Sequence, residues 1–98
     1  MQYRSTKISS ANTTISSTSA LFYGILIVGA TGVSTTNNIK IYDATSATNQ
    51  IAEFAVSVGS TLYRSINIVC KTGLRVECSD WTDLEAYVIH GWGVVHGN

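Results

Sequence analysis

From residue 20 onward, short runs of Ile, Val, Leu and Phe recur about every ten residues, and turn-forming residues close each run. No segment sustains the 3.6-residue period of an amphipathic helix. Ile39 and Ile41 alternate with Lys40 and Tyr42, and Leu74, Val76 and Cys78 alternate with Arg75, Glu77 and Ser79. A period of two puts each apolar set on one face of a strand. Strands at a spacing of about ten residues predict an all-β fold, an antiparallel β-sandwich of jelly-roll type. The 98 residues leave room for one such domain and one modest core.

Residues 21–28 are apolar at both parities, which predicts a central strand covered on both faces. Asn37-Asn38 opens the next strand, and Asp43-Ala44-Thr45-Ser46 reads as a turn whose Asp bonds its own backbone. Phe54, Val56 and Val58 share one face of a third strand, closed by Gly59-Ser60. Residues 62–70 follow, with Ile66, Ile68 and Cys70 pointing inward. Thr72-Gly73 and Asp80-Trp81-Thr82-Asp83 are turns. In the last strand, 84–90, the buried set is either Ala86 with Val88 or Tyr87 with Ile89. Residues 1–19 are rich in Ser and Thr, with only Ile8 and Ile15 as apolar anchors. They read as an extended N-terminal arm that can pair on a sheet edge. The sandwich then spans 20–91, and 92–98 form a Gly-punctuated tail.

Six basic and six acidic residues cancel, and charged residues are 12% of the chain, about half the usual share. No positive excess is present to neutralise phosphates, so no nucleic-acid partner is expected. The most apolar stretch, 20–33, is too short for a bilayer, and the first residues lack the apolar core of a secretory signal. Neither a membrane partner nor a membrane location is expected. A neutral surface favours association. Tyr23, Tyr42, Tyr63, Tyr87, Trp81 and Trp92 suit interfaces, because they bury area while keeping a polar handle; cross-strand packing uses the same residues.

Several motifs bear on chemistry. Val28-Gly29-Ala30-Thr31-Gly32 after an apolar strand looks like a dinucleotide turn, but Thr35 stands where a third glycine belongs. Residues 34–41 also alternate like a strand and offer no helix to hold pyrophosphate. No nucleotide cofactor is expected. His90 and His96 fall short of the three or four ligands zinc needs, so no metal is expected. No serine has a credible His and Asp pair, and no catalytic residue or enzymatic activity is expected. Asp80, Trp81 and Asp83 form an alternative sugar site, since carboxylates beside an aromatic ring suit a carbohydrate. Cys70 and Cys78 fall out of register across the Thr72-Gly73 turn and read as buried free thiols.

Four segments carry a resemblance. They are Leu21-Phe22-Tyr23-Gly24-Ile25-Leu26-Ile27, Ile39-Lys40-Ile41-Tyr42-Asp43-Ala44-Thr45-Ser46, Thr72-Gly73-Leu74-Arg75-Val76 and Ala86-Tyr87-Val88-Ile89. In this order they resemble small β-sandwich virion structural proteins of tailed bacteriophages, over about three-quarters of the chain. The resemblance implies a capsid decoration, or cement, protein on the virion exterior. Such a protein binds the major capsid protein and associates with itself, often as a trimer. It implies no catalytic residue. Ile8 and Ile15 in the arm and Trp92, Val94 and Val95 in the tail are the expected interface anchors. A carbohydrate- or receptor-binding module of a phage fibre or tail is the alternative.

Overall fold

The computed structural model describes residues 3–34 and 37–92, with Trp92 described by its backbone alone. Eight strands run in order: β1 (Tyr3–Ile8), β2 (Thr13–Ser16), β3 (Ala20–Gly29), β4 (Asn38–Tyr42), β5 (Gln50–Ala55), β6 (Ser60–Cys70), β7 (Leu74–Glu77) and β8 (Leu84–Trp92). Among the described residues there is no helix. The first strand pairs with the last, the second with the seventh, the third with the sixth and the fourth with the fifth, all antiparallel. Rolling that ribbon brings β3 against β8 and β4 against β7. The result is two four-stranded sheets, β1-β8-β3-β6 and β2-β7-β4-β5. This is jelly-roll connectivity, and the sandwich expected from the strand spacing is present.

Ile25, Ile27, Ala86 and Val88 of the first sheet and Ile39, Ile41, Leu74 and Val76 of the second are buried in one core. In β8 the buried set is therefore Ala86 and Val88, joined by Leu84. Strand β3 differs from expectation. Its inward residues are Ala20 and Phe22, then Ile25 and Ile27, so parity switches along the strand. A bulge does this: two residues of β3, from Phe22 to Gly24, span a single step of β8, from His90 to Ile89. Leu21, Tyr23, Leu26 and Val28 stay partly exposed, so β3 is central in its sheet but covered on one face only. Val58 also departs from its expected face: β5 ends at Ala55, and Val58 sits half-exposed in the turn before Gly59, whose φ is 65°.

The described part of residues 1–19 is not an arm outside the sandwich. Strand β1 is an edge of one sheet and β2 an edge of the other. Ile8 is 3% exposed within the core, and Ile15 packs against it. Between the two strands, Asn12 Oδ1 accepts from the Cys78 N–H at 2.8 Å and from Trp81 Nε1 at 2.9 Å. The N-terminal segment thus ties down the β7–β8 connection.

Asp43 also does something other than expected. Its carboxylate leaves its own turn and caps the β6–β7 turn. It accepts from the backbone N–H groups of Lys71 at 3.0 Å, Thr72 at 2.8 Å and Gly73 at 3.3 Å. Thr72 Oγ1 donates to the Asp43 carbonyl at 2.8 Å. Burial pushes the Asp43 carboxyl up, but the Lys71 and Thr72 donors outweigh it and hold the group below the usual carboxylate range. Gly73 is required by close approach, because a Cβ there would lie 2.7 Å from the Ala44 carbonyl oxygen. The Ile-x-Ile-Tyr-Asp segment and the Thr-Gly-Leu segment of the resemblance are therefore two halves of one structural clasp.

Candidate interaction surface

The side chains of β8 alternate, and Leu84, Ala86, Val88 and His90 take the core side. Glu85, Tyr87 and Ile89 must then face outward. Register carries this outer face across the sheet. One row runs Lys7, Tyr87, Leu26, Tyr63. The next runs Ser5, Ile89, Gly24, Ser65, and a third runs Tyr3, Gly91, Leu21, Val69. Val28 continues the face beside Glu85. Tyr23, at the bulge, meets the Tyr3 ring with centroids 4.8 Å apart. Four of the five tyrosines therefore lie on one face, among Leu21, Leu26, Ile89 and Val69. Among the described residues, Tyr3 at 63%, Val69 at 53% and Tyr63 at 52% are three of the four most exposed large hydrophobic residues. Gly24 lets the Tyr63 ring lie close over the strand: a Cβ there would come within 3.0 Å of the Tyr63 hydroxyl and 2.7 Å of the Arg64 carbonyl oxygen.

Charge is confined to one end of this face. Lys7 Nζ lies 3.3 Å from Glu85 Oε2 and 5.9 Å from the Tyr87 ring centroid, and the Tyr87 hydroxyl donates to Glu85 Oε1 at 2.9 Å. The pair neutralises itself: Tyr87 and Lys7 hold the Glu85 carboxyl low, and Glu85 raises the Lys7 ammonium. The opposite sheet presents a different exterior. There Lys40 stands between Glu53 and Glu77 in register, and Arg75 Nε donates to Glu77 Oε2 at 2.6 Å. Asn38 and Gln50 donate to Glu53 at 2.5 and 3.0 Å and keep its carboxyl low. Tyr42, the fifth tyrosine, lines a groove of about 310 Å³ among these charges.

The residues singled out from sequence are distributed as follows. Ile8 is core and Ile15 is half-buried, so neither anchors a free arm. Trp92 continues β8 by its backbone, while Val94 and Val95 lie outside the described residues, as does His96. Trp81 and Asp83 come together with Ser9 and Glu85 around a pocket of about 300 Å³. Asp80 is drawn off elsewhere, where its Oδ1 accepts from the Thr82 N–H at 3.0 Å and its carboxyl is held low. The Trp81 indole N–H is already committed to Asn12.

Ala30 to Gly32 form a turn, where Ala30 N–H donates to the Asp83 carbonyl at 2.9 Å and Val33 N–H to the Ala30 carbonyl. No helix follows this turn among the described residues. His90 is buried, with Nε2 at 2.8 Å from Thr6 Oγ1, and burial together with Arg4 lowers its pKa. Cys70 and Cys78 are buried free thiols, and burial pushes Cys70 up to about 11. Among the described residues no three or more His, Cys, Asp and Glu side chains cluster as metal ligands.

That one outer face of β1-β8-β3-β6 gathers these residues is what reading the sequence missed. Tyr23, Tyr63 and Tyr87 stood out as suited to interfaces or to cross-strand packing, and β3 was apolar at both parities, which fits a second covering layer equally well. Fold and surface together define an all-β jelly-roll sandwich with one charged and one aromatic exterior. Comparison with protein-family models, with curated proteins and with solved structures finds no match for the chain.

Proposed function

We propose that the chain is an assembling structural protein of a tailed-phage virion, a capsid decoration protein that binds the major capsid protein and stabilises the shell. The observation that carries this reading is the aromatic, nearly uncharged outer face of β1-β8-β3-β6. Monomeric soluble proteins rarely leave a contiguous apolar patch larger than a few hundred Å² in water. A neutral chain with this face gains by associating. The resemblance of the four sequence segments to small phage virion proteins supplies the context.

The mechanism is thermodynamic. A protein that binds only the assembled shell stabilises it by mass action. Several such contacts held on one oligomer add avidity without any single strong site. Ile8 is committed to the core, so the shell-docking role passes to the tail residues Trp92, Val94 and Val95, while the outer sheet face serves association of the protein with itself. The test is co-sedimentation of the purified protein with shells of the phage that encodes it, comparing the full chain with a chain ending at Gly91. Shell-bound protein and a higher shell melting temperature are expected. Absence of shell binding at tens of micromolar protein would reject the reading.

A further inference from the structure

We infer that the outer face of β1-β8-β3-β6 is a homotypic interface, occupied by the same face of a second copy of this chain. The inference rests on the reading of the protein as an assembling structural component. Four strands about 4.8 Å apart and four rows about 6.7 Å apart give this face roughly 500 Å² in projection. Two stacked copies would together remove roughly 1,000 Å² or more, which reaches the lower bound for a specific interface. The composition matches the centre of such interfaces, where aromatic residues are enriched and charges depleted.

Charge selects a second copy over an unrelated partner. Net charge is zero, so copies do not repel one another. Lys7 and Glu85 neutralise each other at one end of the face, which leaves no unbalanced charge for a charged partner to pair with. The opposite sheet, with Lys40, Glu53, Arg75 and Glu77 on its exterior, is the side suited to water. Tyr63 and Val69, each over half exposed, project from this face.

The experiment is light scattering on the full chain over a range of concentrations. Wild type is expected at twice the 10.5 kDa monomer mass, since an interface of one face with its own copy closes at two. Tyr63→Glu and Val69→Glu, each at a position over half exposed and so tolerated by the fold, are expected to fall to the monomer. Each substitution enters the interface once per copy, so association should weaken by about 100-fold or more. Val58→Glu, equally exposed but in the β5–β6 turn, is the control and should keep the wild-type mass. Hydroxyl-radical footprinting of wild type needs no variant, and it should show Tyr3, Tyr63 and Val69 protected at high concentration relative to low.

A monomeric wild type, unchanged masses in both face variants, or no protection of these side chains would overturn the interface. Shell binding by a monomeric wild type would sink the interface and keep the virion reading. An oligomer broken by the face variants that never binds shells would do the reverse.

Discussion

Replacing Asp43 tests the clasp between the β4–β5 connection and the β6–β7 turn. In Asp43→Ala three backbone N–H groups, those of Lys71, Thr72 and Gly73, lose their charged acceptor. A hydrogen bond to a charged group contributes about 1.5–3 kcal/mol when water is excluded. This clasp lies near the surface, so water replaces part of each bond, and about 0.5–1 kcal/mol per bond is the fair discount. The total is about 2 kcal/mol. For a domain of this size that is a fall in Tm of about 8–16 °C. Asp43→Asn keeps one carbonyl oxygen and should lose about half as much.

Proton linkage gives the sign with pH. The folded carboxyl sits below its ordinary value, so its contribution is full above about pH 4, the unfolded value, and fades as pH falls through the lower folded one. Denaturation curves of wild type and Asp43→Ala should therefore diverge at pH 7 and converge towards pH 3. A neutral-pH loss below about 0.5 kcal/mol, or a gap that persists undiminished in acid, would refute the argument.

Other outcomes follow from the same structure. Deleting residues 1–19 removes an edge strand from each sheet together with buried Ile8, and cooperative thermal unfolding should be lost. His90 has its folded pKa lowered, by burial first and by Arg4 second, so neutral His90 stabilises above about pH 6.5 and that contribution is lost as pH falls below it. The wild-type Tm should drop from pH 7.5 to 5.5, and His90→Gln should flatten that part of the profile. Cys70, pushed up to about 11 and buried, should react with a thiol reagent at pH 8 only after unfolding, which a chromogenic disulfide measures directly. On a glycan array the protein should give no signal that Trp81→Ala abolishes, because the indole N–H is spent on Asn12 and Glu85 on Lys7 and Tyr87.

How much of this was legible depends on the strand. In β4 and β7 one parity is apolar and the other polar, so period-two alternation alone fixes which side is buried. The turns at Thr72-Gly73 and Asp80–Asp83 announce themselves by composition. Strands β1 and β2 do not, because an edge strand needs only one residue in the core. Ile8 alone does that work in β1, among Ser, Thr and charged neighbours that read as an extended arm able to pair on an edge but not as part of the sandwich core. Asn12 and Asp43 carry no local mark of their distant partners, the β7–β8 connection and the β6–β7 turn.

By itself, the sequence determined that this chain is a β-sandwich with no net charge and few charged residues. The tertiary structure alone decided which face of β3 is covered. That strand is apolar at both parities, and a bulge at Tyr23-Gly24 switches parity halfway along it. No periodicity argument can choose a face under those conditions. The choice belongs to the second sheet, which packs on Phe22, Ile25 and Ile27 and leaves Leu21, Tyr23 and Leu26 partly exposed on the other face. That outcome creates the aromatic exterior on which the proposed association rests.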